Sequence, residues 1–265
     1  MIKCAIRLLL LVLFFLQAMP LDSSYNQPVV CGPLARNDVI CFVGDSLVGR
    51  GDGTFQQVFN DGWITKFRQM QQAYHPEYNF SVVNAGYAYL SSTVLNYPGY
   101  GSNFWNQYVV ACHPTVLFIW VGIDDMLAGN GSFDMSAYGV NLQNIIDAAR
   151  QIPTVRQIVL ITPACYGEKR NGQNPYDSQI YNLIAVINQT SINNQIPVID
   201  MRSAFVCADL YYNGPDLKTG ILCGDIPYGI HPICSTAATP PDRNNFDSST
   251  GSWLIATDIF QALGE

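Results

Sequence analysis

The sequence predicts a three-layer α/β/α sandwich, doubly wound, around a five-stranded parallel sheet of flavodoxin-like strand order. Three observations predict it. Five apolar, β-branched runs recur along the chain, at 39–43, 81–84, 115–121, 157–162 and 196–200. Helical patterns lie between and after them, at 62–73, 136–151, 175–194 and 251–262. The 265 residues are 49% hydrophobic and only 12% charged, which is enough apolar material for one sizeable core. Strand and helix in alternation imply βαβ units with right-handed crossovers. The third and fourth runs are nearly continuous in hydrophobicity, as befits parallel strands buried on both faces.

Before the first strand stands a targeting segment. Lys3 and Arg7 form a basic start, and Leu8 to Leu16 is an apolar run too short to span a bilayer comfortably. Gln17-Ala18-Met19-Pro20 then supplies residues for cleavage. Residues 1–20 are thus expected to be a secretory signal peptide, leaving 21–265 as one domain. An uncleaved signal anchor is the alternative. No later segment is long and apolar enough for a transmembrane helix, so a secreted, soluble mature protein is expected. Without Lys3 and Arg7 the chain has 11 basic and 20 acidic residues, a net charge of −9. An acidic chain with no Lys/Arg cluster argues against nucleic acid and anionic membrane as partners.

Eight cysteines are present, and Cys4 falls in the signal segment. Cys31, Cys41, Cys112, Cys165, Cys207, Cys223 and Cys234 are left, an odd number. An exported chain with this many is expected to carry disulfides. Cys41, inside an apolar strand pattern, is expected to be buried and unpaired, and two of the last three to form a bridge. No Cys-x-x-Cys pair or His cluster suggests a metal site. Asn79-Phe80-Ser81, Asn130-Gly131-Ser132 and Asn188-Gln189-Thr190 are N-glycosylation acceptors, expected to be used if the source is eukaryotic.

In a doubly wound sheet, ligands bind at the carboxyl ends of the strands. The first strand is followed by Gly44-Asp45-Ser46-Leu47, the second by Ala85-Gly86-Tyr87-Ala88-Tyr89, the third by Gly122-Ile123-Asp124-Asp125. A serine hydroxyl needs a base to take its proton, and histidine is the usual one near neutral pH. There are three histidines. His75 ends a helix and His113 precedes the third strand, both at the wrong end of the sheet. His231, in Tyr228-Gly229-Ile230-His231-Pro232, follows the last strand and is the candidate base. Ser46 opens the loop into a helix, where its hydroxyl is exposed to substrate and its N–H can bind an oxyanion.

These blocks resemble those of the SGNH (GDSL) hydrolases. Gly44-Asp45-Ser46-Leu47 is similar to that family's first block, Val83-Asn84-Ala85-Gly86 to its second, and Trp120-Val121-Gly122-Ile123-Asp124-Asp125 to its third. Gly62-Trp63, Ile161-Thr162-Pro163, Tyr181-Asn182 and Val198-Ile199-Asp200-Met201-Arg202 follow intervening segments, and Gly229-Ile230-His231-Pro232 resembles the last block. The resemblance implies a carboxylic-ester hydrolase of esterase, lipase or acetylesterase type, working through a serine acyl-enzyme without metal or organic cofactor. Ser46 would attack the acyl carbonyl and His231 would serve as base, then acid. The implied oxyanion hole takes the Ser46 N–H, a backbone N–H at Tyr89 and the side chain at position 124.

Three positions depart from the pattern. Tyr89 stands where the family has glycine, Asp124 where it has asparagine, and Tyr228 where it has the carboxylate three residues before the histidine. Asp225, in Gly220-Ile221-Leu222-Cys223-Gly224-Asp225, is the replacement candidate for orienting His231; a Ser-His dyad is the other option. An ionised Asp124 would repel an oxyanion, whereas a protonated one would donate to it. The departures also leave open a non-catalytic protein of this fold that binds an acylated glycan or a protein. Tyr87, Tyr89, Tyr97, Tyr100, Phe104 and Trp105 either pack a long loop or wall a pocket. Arg50-Gly51-Asp52 reads as part of the nucleophile loop rather than as an adhesion motif. The expected partner is a small-molecule or glycan ester.

Overall fold

Val39–Gly44 forms an interior strand, β1, and from Ile40 onward every residue of it is buried. Apolar character on successive residues, rather than in alternation, is what a strand covered on both faces requires. The computed structural model describes residues 31–49, 62–87, 90–96, 103–128, 133–164, 176–205 and 251–263. Within them the other strands are β2 (Ser81–Gly86), β3 (Val116–Trp120), β4 (Gln157–Ile161) and β5 (Val198–Ile199). The sheet order is β2-β1-β3-β4-β5 and every pair is parallel, the flavodoxin-like arrangement expected from the sequence. β5 is shorter than its apolar run because Pro197 has no N–H to give the ladder; its carbonyl still accepts from Leu160 N–H at 3.0 Å.

The helices are α1 (Ser46–Gly49), α2 (Trp63–Tyr74), α3 (Ser92–Asn96), α4 (Ile123–Ala128), α5 (Met135–Arg150), α6 (Asp177–Asn194) and α7 (Gly251–Ala262). α2 packs with α7, and α5 packs with both α3 and α6. The Phe42 ring of β1 meets Trp63 and Phe67 of α2 edge-on, at 4.8 and 5.5 Å between centroids, and stacks on Phe118 of β3 at 4.7 Å. α5 begins one residue earlier than its pattern implied, since Asp134 accepts from the N–H groups of Ser136 and Ala137, each at 3.0 Å. The brief helices α1, α3 and α4 were not expected. Cys41 is fully buried and free as expected, and its thiol shares a hydrogen bond with Cys112. Among the described residues Cys31 and Cys112 are also free. Cys165, Cys207, Cys223 and Cys234 lie outside them, as do residues 1–20.

The amino ends of β1, β3 and β4 are tied by one polar cluster. Asp38, 3% exposed, accepts from the Thr115 hydroxyl at 2.7 Å and the Ala35 N–H at 2.6 Å, and pairs with the Arg156 guanidinium. Burial works to raise the Asp38 carboxyl, but these three partners outweigh it and hold it below the usual carboxylate range. A carboxyl so depressed contributes stability that is present above its unfolded-state pKa and is lost as pH falls through its folded value. Arg156→Met should therefore destabilise the fold near neutral pH by about 1–2 kcal/mol, the low end for bonds to charge because the guanidinium is partly solvated. In urea titrations the deficit should shrink below about pH 4.

At the other end of the sheet, β2 closes against α1. A Cβ built on Gly86 would run into the Gly49 amide and into Val48. Gly86→Ala should therefore force backbone apart and cost about 1–3 kcal/mol. In differential scanning fluorimetry that is a Tm lower by roughly 2–12 °C.

Candidate active site

β1 and β3 deliver their following loops side by side, because Gly44 is in register with Trp120. Asp45 binds the two together. Its N–H donates to Trp120 O at 3.2 Å. Its carboxyl, 0% exposed, accepts from Leu47 N–H at Oδ1 (3.0 Å) and from Ile123 N–H at Oδ2 (3.1 Å). Its carbonyl accepts the N–H of Val48 at 3.1 Å and of Gly49 at 2.8 Å, winding the chain into α1. Trp63 Nε1 donates to Leu47 O at 2.9 Å and holds that turn from the α2 side. Ser46 is the first residue of α1, at the carboxyl end of β1.

The β3 loop turns at Gly122, whose φ of +134° is open to glycine and strained for any other residue. Behind it α4 presents two carboxyls in opposite directions. Asp124 faces Ser46: Oδ2 accepts the Ser46 N–H and Oδ1 lies against the Ser46 Oγ, both at 3.3 Å. Asp125 turns to α3, accepting from Ser92 N–H at 2.8 Å and from Ser92 Oγ at 2.6 Å. Asn141 of α5 donates to Ser92 Oγ at 3.2 Å and to Thr93 Oγ1 at 3.1 Å, so α5 ties down the α3 residue that holds Asp125.

Three carboxyls thus converge where β1 and β3 end. Burial, reinforced by the Asp124 charge, pushes the Asp45 carboxyl well above the usual carboxylate range, although the Leu47 and Ile123 amides pull the other way. Burial likewise raises Asp125, against the bonds from Ser92 and with help from the charge on Asp124. The Tyr138 phenol is raised well above its ordinary value by burial and then by Asp125 and Asp45; its hydroxyl donates to Val121 O at 2.9 Å.

The structure thus brings together two of the expected site residues, Ser46 and Asp124. Tyr89, Asp225 and His231 lie outside the described residues, as does Arg50-Gly51-Asp52. His75 and His113 sit where the sequence put them, away from the site. His75 ends α2 and stacks on Tyr78 at 5.0 Å, and His113 precedes β3 at its amino end. The aromatic stretch divides. Phe104 and Trp105 are buried core, while Tyr87 is 52% exposed beside the end of β1, its N–H donating to Gly44 O at 3.0 Å. The network of Asp125, Ser92 and Asn141 was not anticipated. Ser91-Ser92-Thr93 before a helical run was the available signal, since such residues favour helix starts.

A serine at a strand-to-helix turn, at the carboxyl end of a parallel sheet, is an arrangement suited to acyl transfer. The profile of the GDSL-like lipase/acylhydrolase family matches residues 42–232, most of the chain, from within β1 to beyond His231. No curated protein matches in sequence. Among solved structures, a catalytic mutant of the acetylxylan esterase Axe2 from Geobacillus stearothermophilus is 20% identical, with a TM-score of 0.65 over 87% of this chain and 96% of that one. The acetyl xylan esterase AlAXEase is 21% identical, with a TM-score of 0.65 over 84% of this chain and 98% of that one. A GDSL-like lipase from Parabacteroides merdae is 19% identical, with a TM-score of 0.65 over 88% and 99%. At these identities the three show a common fold. Together with the family match over residues 42–232, the five-stranded parallel sheet and the Gly44-Asp45-Ser46-Leu47 turn lead to one conclusion: the chain belongs to the GDSL-like lipase/acylhydrolase family and is a GDSL-type ester hydrolase.

Proposed function

We propose that this protein is exported and hydrolyses short-acyl esters carried by glycans, through an acyl-enzyme on Ser46. The observation that carries the reading is the placement of Ser46 at the start of α1, hydroxyl and N–H both turned to the β3 loop. The acetyl-glycan substrate class is supported by two of the structural neighbours, which are named as acetylxylan esterases. Export is supported by the basic and apolar pattern of residues 1–20.

In this scheme His231 takes the Ser46 proton as Oγ bonds to the acyl carbon, and the carbonyl π electrons move onto oxygen. Collapse of that oxyanion breaks the ester bond, and the imidazolium returns its proton to the leaving alcohol. Water then repeats the sequence on the acyl-enzyme, releasing the acid and restoring Ser46. Asp225 fixes the imidazole by accepting from its other N–H.

A fluorophosphonate probe should label the wild type, and Ser46→Ala should abolish both labelling and ester hydrolysis. No labelling of well-folded wild type would reject Ser46 as nucleophile and favour a protein that binds acylated glycan without turnover. Across nitrophenyl esters kcat/KM should fall from acetyl to longer chains, with acetate released from acetylated xylan; a preference for long chains would reject the substrate class. Asp225→Asn should lower kcat by roughly 10⁴-fold if it orients the base. Near-native kcat would leave His231 working as half of a dyad.

A further inference from the structure

An ester brought to Ser46 has an alcohol part as well as an acyl part, and β2 sets a row of aromatic rings beside the nucleophile turn. β2 ends at Gly86, in register with Gly44, where α1 lies so close that Gly49 and Val48 leave no room for a side chain. The next residue is Tyr87. Its N–H donates to Gly44 O at 3.0 Å, which pins its backbone to a residue two positions before Ser46. Its ring meets Phe104 edge to face, 6.5 Å between centroids, and Phe104 lies 4.9 Å from Tyr108.

Phe104 and Tyr108 are held by an uncommon turn. Trp105–Val109 is a short π-helix, with Val110 N–H reaching back to Trp105 O. Such turns are rare and gather at functional sites. This one sinks Trp105 and Val109 into the core and leaves Tyr108 at the surface. Among the described residues the row is therefore Tyr87, 52% exposed, Phe104, 9% exposed, and Tyr108, 48% exposed. Phe104 is its floor, and the two tyrosines are its open faces.

We propose that Tyr87, Phe104 and Tyr108 form a shelf on which a sugar ring of the glycan stacks while its ester is at Ser46. The inference rests on the glycan-ester reading given above and names the residues that make the site prefer a glycan.

Shape and charge decide the occupant. An acyl chain gains by leaving water, so it needs enclosure, and rings half open to solvent enclose nothing. A stable protein interface needs about 800 Å² from each partner. An aromatic side chain offers about 150–250 Å², and here only two are open, each by half. A pyranose ring matches that size. Its axial C–H bonds give it an apolar face to lay on an aromatic ring, and its hydroxyls stay in water at the edge. The chain's net charge of −7 favours a neutral glycan over an anionic ligand.

The test compares kcat/KM on acetylated xylo-oligosaccharide with kcat/KM on ethyl acetate, which has no sugar or ring to stack. The proteins are wild type, Tyr87→Ala, Tyr108→Ala and Tyr108→Phe. In each alanine variant the ratio of glycan to ethyl acetate should fall about 2–10-fold, mainly through KM on the glycan. Unacetylated xylo-oligosaccharide should inhibit ethyl acetate hydrolysis by the wild type, and Tyr108→Ala should weaken that inhibition by a similar factor. Tyr108→Phe keeps the ring face and should keep the wild-type ratio. A fall there as large as in alanine would put the effect in the hydroxyl and overturn stacking. Alanine variants with the wild-type ratio would overturn the shelf while glycan hydrolysis by the wild type stands. A wild type that cleaves ethyl acetate but frees no acetate from the glycan would overturn the glycan reading, and the shelf with it. Should Tyr87→Ala not fold, the two Tyr108 variants decide, since that side chain is half in solvent.

Discussion

The site hangs on one buried carboxyl. Asp45 has no exposure to solvent, and its two oxygens each take a backbone N–H, one from the turn after β1 and one from the start of α4. Burying such a group unpaired would cost several kcal/mol, so the two loops are obliged to stay where they satisfy it. The constraint is geometric as well as energetic. Asp45 N–H and carbonyl are committed too, to Trp120 O and to the amides of Val48 and Gly49. With all of these fixed, Ser46 has little choice of position, and the angle at which α1 leaves the sheet is set.

The rest of the fold serves that constraint. β1 and β3 are neighbours in register, so both loops emerge at one level. Gly86 on the other flank of β1 lets α1 lie directly against β2. Trp63 reaches over from α2 to cap Leu47 O, and its ring packs on Phe42 and Trp120. The same residue thereby joins the core to the nucleophile turn. At the far end of the sheet the Asp38, Thr115 and Arg156 cluster sets where β1, β3 and β4 begin. Polar ties bracket the central strands at both ends, and apolar packing fills what lies between.

What could be read from the sequence follows from the range of the interactions involved. Strands 39–43 and 115–121 were legible because burial on both faces writes itself as a run of apolar residues, and the parallel sheet followed from the alternation with helices. Helices α1, α3 and α4 have four to six residues, too few for a period to show. The early start of α5 turned on Asp134, whose capping is local but competes in sequence with the equally plausible Ser136. Ser46 was legible from its block. Asp124 was visible as a departure at an expected asparagine, but its hold on the Ser46 N–H joins residues 78 apart and appears in no local pattern. Asp125 received no role from the sequence, because the serine that holds it lies 33 residues away.

Two opposing effects of different size act on the carboxyls at the start of α4. Asp124 and Asp125 stand in the first turn of that helix, where unpaired N–H groups favour negative charge. That preference is worth about 0.3–1 kcal/mol per group, and a six-residue helix sits at the low end. Two like charges 4 Å apart in a protein environment repel by about 4 kcal/mol, and by about 2 at twice that separation. Three carboxyls crowded at the ends of β1 and β3 incur that repulsion in pairs, in a place where burial has already weakened hydration. The helix terminus decides which carboxyls ionise first, and repulsion decides that they do not all do so. Asparagine at position 124 would end the conflict. Aspartate keeps it, with one carboxyl oxygen on the Ser46 N–H and the other against the Ser46 hydroxyl.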